Sequence, residues 1–96
     1  MTNSEISMTK EDAIVQKGDE AEALLTNNTF TTIVDELVQE VFEGFVNTAP
    51  EAKSEREQNY NHYRALVDIV HTLKQRVEVR DQMLEARNDS DIHGDK

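Results

Sequence analysis

Residues 30–46 read FTTIVDELVQEVFEGFV, and this run decides the fold. Phe30, Ile33, Val34, Leu37, Val38, Val41, Phe42, Phe45 and Val46 recur at steps of three and four, while Asp35, Glu36, Gln39, Glu40 and Glu43 fill the opposite side. Val, Ile and Thr are frequent, but alternation at period two is absent, so the pattern predicts a helix over 29–47. Its apolar stripe is wide, as in a helix packed against others, and not the narrow seam of a zipper. Gly44 weakens the last turn by about 1 kcal/mol relative to Ala and suits a close backbone approach.

Downstream, Asn47-Thr48-Ala49-Pro50 breaks the pattern. Thr48 followed by Glu51 matches a capping box, and Pro50 fits a first helical turn, so a helix restarting at Ala49 or Pro50 is expected. Ser54 and Glu57 repeat the spacing one turn later. No Gly or Pro interrupts the chain from there to about Asn88, a helix of roughly 57 Å against about 28 Å for its predecessor. Tyr63, Leu66, Val70, Leu73, Val77 and Leu84 follow a three-four alternation with Arg80 at the one polar slot. That is coiled-coil character, widened in the first half by Tyr60, Val67 and Ile69. The fold expected is all-α: a helical hairpin of helix 29–47 against helix 50–88. Phe30, Leu37, Val41, Phe42 and Phe45 form the hairpin core, and acids of the first helix meet Arg56, Arg64, Lys74 and Arg76. The shorter helix covers only half of the longer one. Tyr63, Leu66, Val70, Leu73, Val77 and Leu84 are therefore the candidate interface, and the stretch from Val77 to Leu84 needs a partner from outside the chain unless residues 18–26 fold over it.

Upstream, Ala13, Ile14, Val15, Ala21, Ala23, Leu24 and Leu25 mark a short preceding helix beginning near Gly18, with Asp19, Glu20 and Glu22 at its positive end and Asn27-Asn28-Thr29 as a break and a cap for the next helix. Residues 1–12 and 89–96 show no periodicity and are expected to be disordered tails flanking a helical domain over 13–88. The whole chain has 96 residues, no Cys, one Pro, and 20 acidic against 10 basic residues, for a net charge of -10. This composition fits one domain without a disulfide framework or a thiol nucleophile. No apolar run approaches the roughly 20 residues of a membrane span. The N-terminus lacks the pattern of a secretory signal, so a cytosolic or particle-associated protein is expected. The charge is uneven: 29–47 carries four acids and no base, whereas 48–88 is balanced.

The residues that carry chemistry are sparse. His62 and His71 stand about 13 Å apart along a helix, too far to share a metal, and His-Glu-x-x-His is absent. Asp89, Asp91, His93 and Asp95 lack the distal Glu of a calcium loop. The paired carboxylates Glu11-Asp12, Asp19-Glu20 and Asp35-Glu36 splay apart on helices, with no pocket to desolvate one of them. No Gly-rich phosphate loop occurs. No catalytic residue, cofactor or metal is therefore expected. Lys74, Arg76, Arg80 and Arg87 alternate with Glu78, Asp81 and Glu85, a pattern of ion pairs more than of a phosphate-binding run.

Three blocks together resemble a known class: Gly18-x-x-Ala21-x-x-Leu24-Leu25-x-Asn27-x-x-Phe30, then Phe42-x-x-Phe45-x-x-Thr48-x-Pro50, then Arg56-Glu57-x-x-Tyr60-x-x-Tyr63-Arg64-Ala65-Leu66 with Leu73 and Val77. Over Gly18 to Val77 the chain resembles small helical proteins encoded in the head and packaging gene blocks of tailed bacteriophages, many of which carry Trp where Phe45 stands. The resemblance implies virion assembly, in the virion or the host cytoplasm, and transfers no catalytic residue. The function expected is a non-enzymatic phage structural or assembly protein, a helical adaptor that oligomerises or docks on a larger virion component. Its partner is then protein, either a second copy or a phage structural protein, with neither DNA nor membrane as partner. Two alternatives remain at this point. A small-terminase-like DNA-packaging factor suits a helical oligomer, but a charge of -10 opposes phosphate binding. An acidic DNA mimic would use Asp35, Glu36, Glu40 and Glu43.

Overall fold

The computed structural model describes residues 9–94, with side chains through Asp89. It contains three helices, α1 (Lys10–Leu25), α2 (Asn28–Asn47) and α3 (Lys53–Gly94), and no strand among the described residues. The fold is all-α and hairpin-like, as the periodicity predicts. The chain divides into two compact units: Leu24–Thr72, and the segment through Ala23 together with the segment from Leu73.

The start of α1 departs from expectation. It begins at Lys10, well before Gly18 and inside the segment assigned to a tail. The cause is a reciprocal cap. The Asp12 amide donates to Thr9 Oγ1 at 3.0 Å, and the Thr9 amide donates to Asp12 Oδ2 at 3.4 Å. This is a capping box with Asp in the usual Glu position, and Glu11 and Asp12 complement the positive helix end. The other end differs too, since α3 continues to Gly94 where a tail was expected from residue 89. The remaining tail assignments, 1–8 and 95–96, lie outside the described residues.

The Asn27 cap forms as expected. Its side-chain Oδ1 accepts from the Phe30 amide at 2.8 Å while its backbone is extended. Asn27→Ala should cost about 1 kcal/mol and lower the melting temperature by about 4–8 °C, read by circular dichroism. An unchanged midpoint would show that packing alone sets the start of α2.

The α2–α3 turn is built differently from the expected capping box. The Thr48 hydroxyl donates to the Gly44 carbonyl at the end of α2, so it is not available to α3. The Ala52 amide donates to the Ala49 carbonyl at 3.0 Å, enclosing Pro50 and Glu51 in a turn. Pro50 thus takes the position where its fixed φ favours a β-turn. As a result, α3 starts at Lys53 and not at Ala49 or Pro50. The Arg56 guanidinium donates to the Pro50 carbonyl and ties the turn to the first turn of α3.

In the Leu24–Thr72 unit, α2 and the first part of α3 run antiparallel, with Gly44 set close to Asn59. Phe30, Val34, Val38, Val41 and Phe45 of α2 and Leu66 and Val70 of α3 are half-buried. No residue of α2 is fully buried. Two of the five expected hairpin-core residues are corrected: Leu37 and Phe42 are exposed. One neighbouring helix covers only the middle of a stripe that wide, and its flanks stay open. The expected ion pairs from α2 are absent among the described residues. Arg64 pairs within its own helix with Asp68, at 3.9 Å.

The second unit corrects the unpartnered seam. Gly18 faces Arg76 and Arg80. Val15 and Asp12, about one and two turns earlier, border a shallow depression with Leu84 and Arg87. The segment of α1 therefore runs antiparallel along the seam of α3, and the same register brings Ala21 level with Val77. Ile14, Gly18, Ala21 and Leu25 themselves follow a four-three-four alternation, half-buried at the ends and buried in the middle. Two small residues at its centre let the backbones approach, and Ala21 is 1% exposed.

Candidate functional site

Each candidate interface residue now has a place. Leu73 is buried and Val77 half-buried in the unit that contains α1, so they are core and not free surface. Leu84 is exposed at the edge of the depression it shares with Val15. Leu66 and Val70 are half-buried in the hairpin unit. Only Tyr63 contributes to a continuous open apolar surface.

That surface is a groove of about 800 Å³ on one side of the hairpin. Val38, Val41, Phe42, Phe45 and Val46 line it from α2, and Tyr60 and Tyr63 from α3. Gln39 is its one polar side chain apart from the tyrosine hydroxyls. Phe42, Val46, Tyr60 and Tyr63 are 60, 65, 50 and 42% exposed. Scattered apolar exposure is ordinary on a soluble protein, but three rings and a valine converging on one groove form a patch. At about 200 Å² for each aromatic side chain, the three rings alone leave about 300 Å² open. The local cause is the α2 stripe: Phe42 and Val46 sit at its edge, beyond the reach of α3. Phe42 was legible as apolar, but its place at the edge depended on where α3 crosses.

The principal electrostatic feature lies in the other unit. Arg80, at the polar slot of the seam, lays its aliphatic stem over Gly18 and has a side chain only 12% exposed. Its guanidinium reaches Asp19 at 2.7 Å, Glu22 at 2.7 Å and Asp81 at 2.9 Å. Hydrogen bonds to Glu22, then Asp19 and Asp81, raise its pKa, so it remains a cation throughout. The fork of donors suits two carboxylates on a neighbouring helix. By sequence alone, Arg80 fills the one polar slot of its seam and Gly18 stands near an expected helix start. The 14-18-21-25 alternation, with its glycine facing the long polar residue of the other seam, was the signal that links them.

Among the described residues, no three His, Asp or Glu side chains come together in a way that could hold a metal ion. His62 and His71 are exposed on α3. Of the Asp89, Asp91, His93 and Asp95 group, all but Asp89 lie outside the described side chains. No described helix is long and apolar enough to cross a membrane. Comparisons with protein-family models, curated proteins and solved structures return no match.

Proposed function

We propose that the chain is a non-enzymatic helical adaptor that works through the open face of the Leu24–Thr72 hairpin. The observation that carries this reading is the convergence of Phe42, Val46, Tyr60 and Tyr63 on one groove. Covering such a patch with a protein partner removes apolar surface from water at about 25 cal/mol per Å², a driving force for association. The sequence resemblance to small helical phage proteins supports a setting in virion assembly. DNA packaging is less well supported, because Arg80, central to the basic run, is occupied by Asp19 and Glu22.

The test is binding of a neutral polarity-sensitive dye, Nile red, to the dilute chain and to Phe42→Asp. Phe42 is exposed, so the substitution leaves helicity intact. Wild type should enhance dye fluorescence, and the variant should lose most of that enhancement. Equal dye response in both proteins would remove the hairpin face as the working surface.

A further inference from the structure

We propose that the partner of this face is a second copy of the chain, paired about a two-fold axis parallel to the helices so that α2 of each copy lies on α3 of the other. This rests on the adaptor reading and specifies its partner. The two sides of the groove differ in charge. Asp35, Glu36, Glu40 and Glu43 of α2 have no base on their own helix and no ion pair among the described residues. On the α3 side, Lys53, Arg56 and Arg64 balance Glu55, Glu57 and Asp68, and His62 and His71 add further donors. Asp35 stands one heptad before Phe42. Arg64 stands four residues after Tyr60 and three before Val67. Both therefore border the rings on their own helices.

An apolar strip with an acidic edge and a neutral-to-basic edge is complementary to itself under this two-fold operation. The axis keeps heights unchanged. In the Gly44–Asn59 register Asp35 is level with residue 68, one turn from Arg64, within reach of a long guanidinium across the interface. The other two-fold in the plane would set α2 on α2 and bring the acidic edges of the two copies together, which like-charge repulsion disfavours. Size agrees as well. The 20 residues of α2 span about 30 Å and two helices side by side about 20 Å, a footprint on the order of 600 Å². That approaches the roughly 800 Å² per partner of a standard interface, with an apolar centre and a charged rim. The product is a four-helix bundle in which the flank of the α2 stripe is covered.

Sedimentation equilibrium of the full chain, from micromolar to submillimolar concentration, tests this. Wild type should form a dimer, and Phe42→Asp should weaken it about tenfold or more, since the symmetric interface loses two aromatic side chains, one from each copy. Asp35→Lys and Arg64→Glu should each weaken it a few-fold, and an equimolar mixture of the two variants should regain wild-type affinity, because every cross-interface pair is then opposite in sign. A dimer that Phe42→Asp leaves intact uses another face and overturns the proposal. Tightening by Asp35→Lys, or no recovery on mixing, overturns the α2-on-α3 arrangement. A monomer at every concentration overturns self-pairing, while Nile red binding lost in Phe42→Asp would leave the adaptor reading standing.

Discussion

Gly18→Ala should lower the melting temperature, whereas Gly44→Ala should leave it level or raise it. The two substitutions are chemically identical and both lie inside helices, where replacing Gly by Ala ordinarily gains about 1 kcal/mol. Their surroundings set the sign. A Cβ on Gly18 would stand 2.5 Å from Arg80 Cβ and 3.0 Å from the Arg76 carbonyl, atoms fixed to the backbone of α3. Relief requires the helices to separate, an overpacking cost of about 1–3 kcal/mol that outweighs the propensity gain. The midpoint should fall by about 5–10 °C, and further for a branched residue. A Cβ on Gly44 would meet the Asn59 side-chain amide at 2.9 Å, and that group can rotate away. A rise of up to about 5 °C is expected there. Stabilisation by both substitutions would mean that α1 does not sit on the α3 seam.

Arg80→Glu should unfasten α1. It replaces the cation shared by Asp19, Glu22 and Asp81 with a fourth carboxylate on the same spot. A helix of 16 residues with a central glycine is marginal without tertiary support. Its loss would remove about a fifth of the helical ellipticity, since α2 and α3 hold 20 and 42 residues. Molar salt should restore part of it, because screening shortens the reach of like-charge repulsion to about 3 Å. Arg80→Lys keeps the charge but not the fork, and should lie between wild type and Arg80→Glu. Unchanged ellipticity in Arg80→Glu would show that the ion pairs decorate a contact that apolar packing already secures.

The fold was largely legible because its signals are local. The 3.6-residue period of 30–46 predicts α2, and the uninterrupted seam from Tyr63 to Leu84 predicts α3. The Asn27 cap was readable from residue type alone. Thr9-x-x-Asp12 carries the same kind of signal for α1, but Asp stands where Glu is usual and the aperiodic segment before it suggests a tail. Pro50 suits both a first helical turn and a β-turn. The choice fell to Thr48, whose hydroxyl closes the end of α2. The candidate surface was less legible because it depends on which flank of a wide stripe a neighbour covers. Leu73 and Val77 show the same apolar pattern as Tyr63, yet they belong to a unit where Gly18 and Ala21 admit a second helix. Tyr63 remains open beside Phe42 and Tyr60.

The most direct measurement is the concentration dependence of backbone amide chemical shifts in the full chain. Shifts confined to Asp35–Val46 and Tyr60–Asp68 are expected, absent in Phe42→Asp, with Val77 and Leu84 unmoved. Shifts centred on Val77–Leu84, or none at any concentration, would contradict the α2-on-α3 pairing.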